Sequence, residues 1–144
     1  MKKEIIRLLL IEDDNDRVEL FKSWLPDEFR LVHAGSAGRA LGVLQRDRNA
    51  FAGLLLDHDL QEQVVTQHDR LLSGSDVVSK IIELVRPETP ILVHSMNPSD
   101  GPRMQKRLER AGFTVNRLPM AAMTEEYFKN WLEEVREYWD QIVA

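Results

Sequence analysis

Cysteine is absent from the 144 residues, so disulfide bonds and thiolate metal sites are excluded. No apolar run approaches the ~18 residues that a membrane-spanning helix requires. Basic residues are outnumbered by acidic ones, and the formal net charge is −5. This charge disfavours nucleic-acid binding driven by the overall charge of the chain. Linkers and low-complexity tracts are also missing. A chain of this length is expected to form one domain over residues 1–144.

The amino-terminal segment MKKEIIRLLLIEDDNDR begins with basic residues and continues with apolar ones, as a secretory signal does. However, Arg7 interrupts the apolar run, and acidic residues follow it in place of a small-residue cleavage site. We therefore interpret the segment as a buried strand and predict no membrane association. A cytoplasmic location is the default expectation, and the lack of cysteine fits it.

Short runs of leucine and β-branched residues alternate with segments of helical spacing. Strands are predicted at 5–11, 29–33, 51–56, 90–94 and 113–117, and helices at 15–25, 36–47, 74–85, 100–111 and 124–142. The runs at 8–11 and 54–56 are apolar at consecutive positions, which indicates strands covered on both faces. The pattern predicts an α/β fold: a doubly wound, five-stranded parallel sheet of order 2-1-3-4-5 inside three α/β/α layers.

Residues that typically cap or end helices support the predicted helix boundaries. Ser36 and Thr124 precede two of the helices and are expected to cap their free amides. Pro26 and Pro87 end the first and third helices, and Gly112 follows the fourth, where a left-handed conformation is needed.

The connection between Asp57 and Gly74 is long for a strand-to-helix loop, which usually has ~2–6 residues. It is polar, and two interpretations stay open. It is either a tolerated surface insertion or a lid that closes over a ligand at the carboxyl edge of the sheet.

Acidic and polar residues follow three of the predicted strands: Glu12, Asp13, Asp14, Asp57, His58, Asp59, His94 and Ser95. In an open α/β sheet these strand ends meet where the strand order reverses. Crowded carboxylates favour either a proton or a cation between them, and hard oxygen ligands select Mg²⁺, Mn²⁺ or Ca²⁺. The alternative is that Asp13 and Asp14 only cap the helix that starts near Asn15.

The motifs LLLIEDDNDR, GLLLDHDL and PILVHS resemble those of receiver domains of two-component response regulators, over essentially the whole chain. The resemblance implies a flavodoxin-like fold and a Mg²⁺ site with Asp13 and Asp14 as ligands. It also implies that Asp57 is the phosphoacceptor, that Asp59 ligates the metal through its backbone carbonyl, and that Ser95 contacts the phosphoryl group. One departure is Leu118, which stands where the family has a lysine before proline. Arg117 is adjacent but is expected to face the other side of its strand.

The segments LDHDL and HSMNPSDG, with Met104, His58 and His94, are similar to a divergent branch, the cyclic-phosphate-processing receivers. That similarity implies processing of cyclic phosphate ends of RNA. Asp57 would act as nucleophile or metal ligand, and His58 or His94 would protonate the leaving oxygen. Ser95, Asn97 and the amides of 97–101 would hold phosphate oxygens. Because adjacent strand residues face opposite sides, both histidines are not expected in the cleft.

Two helices carry side-chain patterns that suggest contacts beyond the core. The fourth predicted helix presents one basic face, formed by Arg103, Lys106, Arg107 and Arg110. This face is either a solvated surface or a contact for a polyanion. The last helix carries a broad aromatic stripe that suits core packing and could also form a homodimer surface.

Three functions follow from these residues and the resemblance. The leading hypothesis is a metal-dependent phosphoesterase or cyclic phosphodiesterase acting on a phosphate-containing ligand. The alternative is a stand-alone phosphoacceptor receiver served by a histidine kinase, which the absent lysine counts against. The third is a non-catalytic pseudo-receiver that binds partners through its helices, which the intact acidic residues count against.

Overall fold

The computed structural model describes residues 5–58 and 73–143, and it shows the parallel sheet and the flanking helices that the sequence predicts. Asp59 and the other residues of 59–72 lie outside this range. The strands are β1 (Ile6–Ile11), β2 (Phe29–Ala34), β3 (Gly53–Leu56), β4 (Ile91–Val93) and β5 (Val115–Arg117). The helices are α1 (Asn15–Trp24), α2 (Ala37–Asp47), α3 (Gly74–Leu84), α4 (Asp100–Arg110) and α5 (Glu125–Val143), with a 3₁₀ turn at Met120–Ala122.

All five strands are parallel, in the order β2-β1-β3-β4-β5, which confirms the predicted topology. Strands β1 and β3 are therefore neighbours, with Ile11 opposite Leu56 at their carboxyl ends. The reversal of strand order lies between them, so the residues after Ile11 and Leu56 share one edge of the sheet.

Two apolar clusters cover the two faces of the sheet. On one face, Leu9 and Ile11 pack with buried residues of α2, α3 and α4. On the other, Leu8 and Leu10 pack with buried residues of α1 and α5. We call these the α2–α4 face and the α1/α5 face. Consecutive leucines in β1 are all buried because each face has its own layer of helices.

The predicted helix ends are confirmed by their hydrogen bonds and dihedral angles. Ser36 Oγ accepts from the amide of Arg39 at 3.2 Å, and Thr124 Oγ1 accepts from the amide of Tyr127 at 3.1 Å. Gly112 follows α4 with φ +100°, a conformation that a side chain would strain.

The aromatic stripe of α5 is used in the core. Phe128, Trp131 and Tyr138 are buried, while Tyr127 and Trp139 are partly buried against the α1/α5 face. A homodimer through this helix stays a prediction. None of the helices in the described ranges has the length and hydropathy needed to cross a bilayer.

Gly53 is required by the close approach of α5 to β3. A methyl group added there would lie 3.0 Å from both Trp131 Cη2 and Val135 Cγ2. We expect Gly53→Ala to lower the free energy of unfolding by about 1–3 kcal/mol, because side chains packed in the core must shift. The measurement is urea unfolding followed by tryptophan fluorescence.

Gly42→Ala is the matched control for this substitution. Gly42 lies within α2, and a methyl group there would have no heavy atom within 4 Å. The helix should then gain about 0.5–1 kcal/mol, since alanine loses less conformational entropy than glycine. A Gly53→Ala variant as stable as Gly42→Ala would contradict this account of the packing.

Candidate metal and phosphate site

Three buried carboxylates meet at the reversal of strand order. One oxygen from each of Glu12, Asp13 and Asp57 lies within 4.8 Å of the other two. Their exposed fractions are 0%, 7% and 3%. The amide of Asp57 donates to the carbonyl of Ile11 at 3.0 Å, which continues the pairing of β1 and β3 into the site.

Glu12 is the member of this group that sequence reasoning did not assign. Its Oε2 accepts from the amides of Asp13 at 3.1 Å and Asp14 at 3.2 Å. The signal that could have found it is strand alternation: Glu12 has the parity of Leu8 and Leu10, which face α1 and α5.

Asp14 differs from the sequence-based expectation that it helps to hold the metal. Its Oδ1 accepts from the amides of Asp16 at 2.9 Å and Arg17 at 3.3 Å, so it caps α1. The first turn of α1 begins immediately after this residue, and its unpaired amides draw the carboxylate away from the group. Of the two aspartates, Asp13 lies in the acidic group and Asp14 serves the helix.

His94 lies beneath the acidic group, on the α1/α5 face. It is fully buried, its Nε2 lies 2.8 Å from Glu12 Oε1, and its ring packs edge-on against Phe21 with centroids 5.2 Å apart. Burial lowers the pKa of His94 to about 4, so the ring is neutral at neutral pH. Since an ionised carboxylate can only accept, we assign the proton to Nε2. Its Nδ1 has no hydrogen-bond partner among the described residues.

The charges in the acidic group are costly to bury. Burial, followed by the charge of Glu12, raises the pKa of Asp57 from 3.8 to about 7. Burial likewise raises the pKa of Glu12 above its usual value. Arg17 offsets part of this cost: its Nη1 lies 3.5 Å from Glu12 Oε1 and 3.6 Å from Asp57 Oδ2.

The donor set fits a hard divalent cation. Ligands of octahedral Mg²⁺ at ~2.1 Å lie at most ~4.2 Å apart, so oxygens within 4.8 Å of one another need only a small contraction or a bridging water. Glu12, Asp13 and Asp57 would hold such an ion, whose charge would relieve the repulsion that raises the carboxyl pKa values. Asp59, the fourth predicted ligand, lies outside the described residues.

Comparison with known protein families shows which family the chain belongs to. Residues 7–110 match the model of the cyclic-phosphate processing receiver domain. The chain belongs to this family. The prediction of a receiver domain of this branch is thereby confirmed. No protein with a curated description matches the sequence significantly.

Solved receiver domains share the fold of this family member. The non-phosphorylated HemR receiver domain from Leptospira biflexa is 24% identical, with a TM-score of 0.67 and coverage of 90% of this chain and 93% of that one. A response regulator receiver domain from Clostridium thermocellum is 16% identical, with a TM-score of 0.70 and coverage of 96% and 99%. The receiver domain of a Pseudomonas aeruginosa sensor histidine kinase, with magnesium in its active-site cleft, is 18% identical, with a TM-score of 0.63 and coverage of 91% and 98%.

The site of this receiver domain departs from the common motif at the end of β5. Leu118 is partly buried against the α1/α5 face, so an apolar side chain stands where the motif has a lysine. Arg117 lies against Gly101 on the opposite side of the sheet, as strand alternation predicts. The cation that contacts the acidic group within the described ranges is instead Arg17 of α1.

His58 lies on the other side of the sheet from His94. Its amide donates to Asp57 Oδ1 at 2.8 Å, while its ring Nδ1 lies 3.4 Å from Asp100 Oδ2. The ring borders a pocket of about 140 Å³ between α3 and α4, lined by His58, Ser75, Val78, Asp100, Arg103, Met104 and Arg107. As alternation predicts, the two histidines do not share one face; the one on the side of Asp57 is His94.

Ser95 and Asn97 organise the loop before α4. Ser95 is fully buried, and its Oγ accepts from the amide of Asn97 at 3.1 Å. Asn97 Oδ1 accepts from the amides of Ser99 at 3.0 Å and Asp100 at 2.8 Å. These contacts shape the start of α4, and phosphate binding by the two residues stays a prediction.

The basic residues of α4 all point to solvent, whereas Met104 and Leu108 on the same helix are buried. Two of the four make local contacts. Arg103 Nη1 lies 3.3 Å from Asp100 Oδ1, and Arg107 donates to the carbonyl of Ser75 at 2.9 Å and to Ser79 Oγ. Lys106 and Arg110 complete an exposed basic face.

Proposed function

We propose that Glu12, Asp13 and Asp57 bind Mg²⁺, with Mn²⁺ or Ca²⁺ as substitutes, and that Asp57 performs phosphoester chemistry on a phosphate-containing ligand. The observation that carries this proposal is the convergence of the three carboxylate oxygens within 4.8 Å, each from a buried residue. Buried like charges are costly without a counter-charge, and a divalent cation supplies one with free coordination positions for phosphate.

The ligand we favour is a cyclic phosphate end of RNA, a 2′,3′-cyclic phosphodiester. Membership of the cyclic-phosphate processing receiver family supports the cyclic phosphate. The exposed basic face of α4 supports the RNA, because four cations on one helix can contact a polyanion even when the whole chain is acidic.

Opening the ring requires a water oxygen to bond to phosphorus while one bond from phosphorus to a ribose oxygen breaks. Asp57, whose carboxylate a bound cation would keep ionised, accepts the proton of the water, and that proton then goes to the released ribose oxygen. A bound cation would neutralise the phosphate oxygens. His94 holds Glu12 in place rather than reaching the ligand, because its ring is fully buried.

The phosphoacceptor function is a second candidate, with a histidine kinase as the partner. It is supported by the two environments of the Asp57 carboxylate. The amide of His58 fixes Oδ1 at 2.8 Å, whereas Oδ2 has the longer contact of 3.6 Å with Arg17 and is the oxygen suited to attack phosphorus.

Two incubations separate these candidates. Adenosine 2′,3′-cyclic monophosphate with Mg²⁺ or Mn²⁺ should be converted to a monophosphate if the phosphodiesterase proposal holds. Acetyl phosphate with Mg²⁺ should instead add a stable phosphoryl group to Asp57 in the phosphoacceptor case, detected by mass spectrometry of the intact chain. A protein that does neither, and whose melting temperature is unchanged by Mg²⁺, would leave the pseudo-receiver as the remaining function.

Asp13→Asn tests the metal site directly. We expect Mg²⁺ affinity, measured by titration of tryptophan fluorescence, to fall by about 10-fold or more, because the substitution removes a charged oxygen ligand. Asp16→Asn is the matched control: Asp16 lies three residues further along in the first turn of α1 and is not part of the acidic group. Equal Mg²⁺ affinity in the two variants would overturn the assignment of Asp13.

A further inference from the structure

Arg17 brings a positive charge to the acidic group from α1. It lies in the first turn of α1, and its guanidinium reaches across the mouth of the acidic group. Besides the contacts of Nη1 at 3.5 Å and 3.6 Å, its Nε lies 3.8 Å from Asp14 Oδ2. The side chain thus faces three carboxylates at once while 29% of it stays exposed.

These contacts are loose for ion pairs. Charge-assisted hydrogen bonds from a guanidinium to a carboxylate are typically ~2.7–2.9 Å, well below the 3.5–3.8 Å seen here. The bond between His94 and Glu12, at 2.8 Å, shows that a tight contact is available to the same carboxylate. Arg17 therefore acts as a nearby positive charge that is not locked in one geometry.

Arg17 also stands where a bound cation would compete with it. A divalent ion held by Glu12 and Asp57 would use the same two carboxylates that Arg17 Nη1 contacts. Two cations cannot both approach these atoms without repulsion. Because the arginine stem is flexible and partly exposed, the guanidinium can move toward solvent without unfolding α1.

We propose that Arg17 is an exchangeable counter-charge for this site. In the metal-free protein it neutralises Glu12 and Asp57, and when a divalent cation binds, its guanidinium moves to the non-bridging oxygens of the phosphate ligand. This inference rests on the proposed metal and phosphate site. The positions of two other residues support it. Leu118, on the same side of the sheet as Arg17, is apolar, and Arg117 lies on the opposite side, so neither supplies a positive charge next to Arg17.

The first test is Mg²⁺ affinity in Arg17→Ala, Arg17→Lys and Lys22→Ala. We expect Arg17→Ala to bind Mg²⁺ about 3- to 10-fold more tightly than the wild type, because the competing positive charge is gone. Arg17→Lys keeps the charge and should stay near the wild type. Lys22→Ala is the control, since Lys22 lies on the same helix and pairs with Glu19. Circular dichroism of each variant verifies that α1 is retained.

The second test uses inorganic phosphate at saturating Mg²⁺, read as the rise in melting temperature. Arg17→Ala should lose about 10-fold or more in phosphate affinity, because a charge-assisted contact to the oxygens is removed. Arg17→Lys should retain part of it. Tighter Mg²⁺ binding together with weaker phosphate binding is the signature of exchange.

The outcomes separate this inference from the function on which it rests. If the wild type binds Mg²⁺ and phosphate but Arg17→Ala behaves like Lys22→Ala, the exchange role of Arg17 is overturned and the metal site stands. If the wild type binds Mg²⁺ without responding to phosphate, the proposed contact of Arg17 with phosphate oxygens is overturned. If the wild type does not bind Mg²⁺, the proposed function fails and this inference with it.

Discussion

Asp57→Asn should make the metal-free protein more stable at alkaline pH while abolishing the proposed phosphate chemistry. Asp57 is 3% exposed and shares its surroundings with Glu12, so the charged form is disfavoured in the folded chain. Asparagine keeps the size of the side chain and can still accept from the amide of His58. The substitution therefore removes a buried charge without opening a cavity.

The expected gain depends on pH because the pKa of Asp57 is 3.8 in a model compound and about 7 in the folded protein. Between these values the folded state binds more protons than the unfolded state. The contribution of Asp57 to stability is therefore greatest below pH ~4, falls as the pH rises toward 7, and then levels off. The full shift corresponds to at most on the order of 4 kcal/mol.

Asp57→Asn should accordingly raise the free energy of unfolding by on the order of 2–4 kcal/mol at pH 8, and by less at pH 5. Urea unfolding at both pH values in the presence of a chelator measures this difference. Asp140→Asn is the control, since Asp140 is exposed in the last turns of α5 and its substitution removes no buried charge. An Asp57→Asn variant no more stable than wild type at pH 8 would contradict the buried-charge account.

The same variant should lose the proposed Mg²⁺ binding and both proposed phosphate reactions of the site. The proposed ring opening requires the Asp57 carboxylate as proton acceptor. Labelling by acetyl phosphate requires it as nucleophile, since Oδ2 bonds to phosphorus while acetate leaves with the electrons of the broken bond. Asparagine performs neither role. Residual turnover of cyclic nucleotide above a few per cent would show that Asp57 is not the reacting group.

His94→Ala should be strongly destabilising, by about 3 kcal/mol. The substitution empties a fully buried space against Phe21 and leaves Glu12 Oε1 without its closest hydrogen-bond donor. Thermal and urea unfolding measure the loss. His58→Ala is the comparison: its ring is 17% exposed and lies 3.4 Å from Asp100, so about 1 kcal/mol or less is expected.

His94→Gln distinguishes a positioning role from a catalytic one. Glutamine retains an N–H donor for Glu12 and much of the volume of the ring, so Mg²⁺ binding and turnover should be largely preserved if His94 only positions Glu12. Their pH profiles should also be unchanged, since the ring stays neutral at neutral pH. A folded His94→Gln variant without turnover would make His94 an acid–base group and overturn the positioning role.

Much of the fold follows from patterns along the chain. Consecutive buried leucines in β1 and β3 require helices on both faces, and this requirement, with alternating helices and strands, leads to the doubly wound sheet that the structure shows. Ser36, Thr124 and Gly112 mark helix ends through local hydrogen bonding and dihedral preference alone. Such features depend on near neighbours in the sequence, so they can be predicted without a structure.

The membership of the acidic group could be predicted only in part. That Asp13 and Asp57 approach each other follows from the strand order. Whether Glu12 or Asp14 joins them depends on the exact residue at which the extended segment after β1 ends and the free amides of α1 begin. Helix boundaries are the feature that residue patterns predict least precisely, and here one position moves a carboxylate from the acidic group to a helix cap.

The amino-acid sequence by itself determined the parallel α/β architecture and the edge of the sheet where acids collect, because periodicity and strand order are carried by residue type. Only the tertiary structure decided which charges neutralise one another. Arg17 enters the site from a helix packed across the sheet, and His94 reaches Glu12 from a strand two positions away from β1. Such pairs form because burial brings distant side chains to within a few ångströms and removes the water that would otherwise screen them.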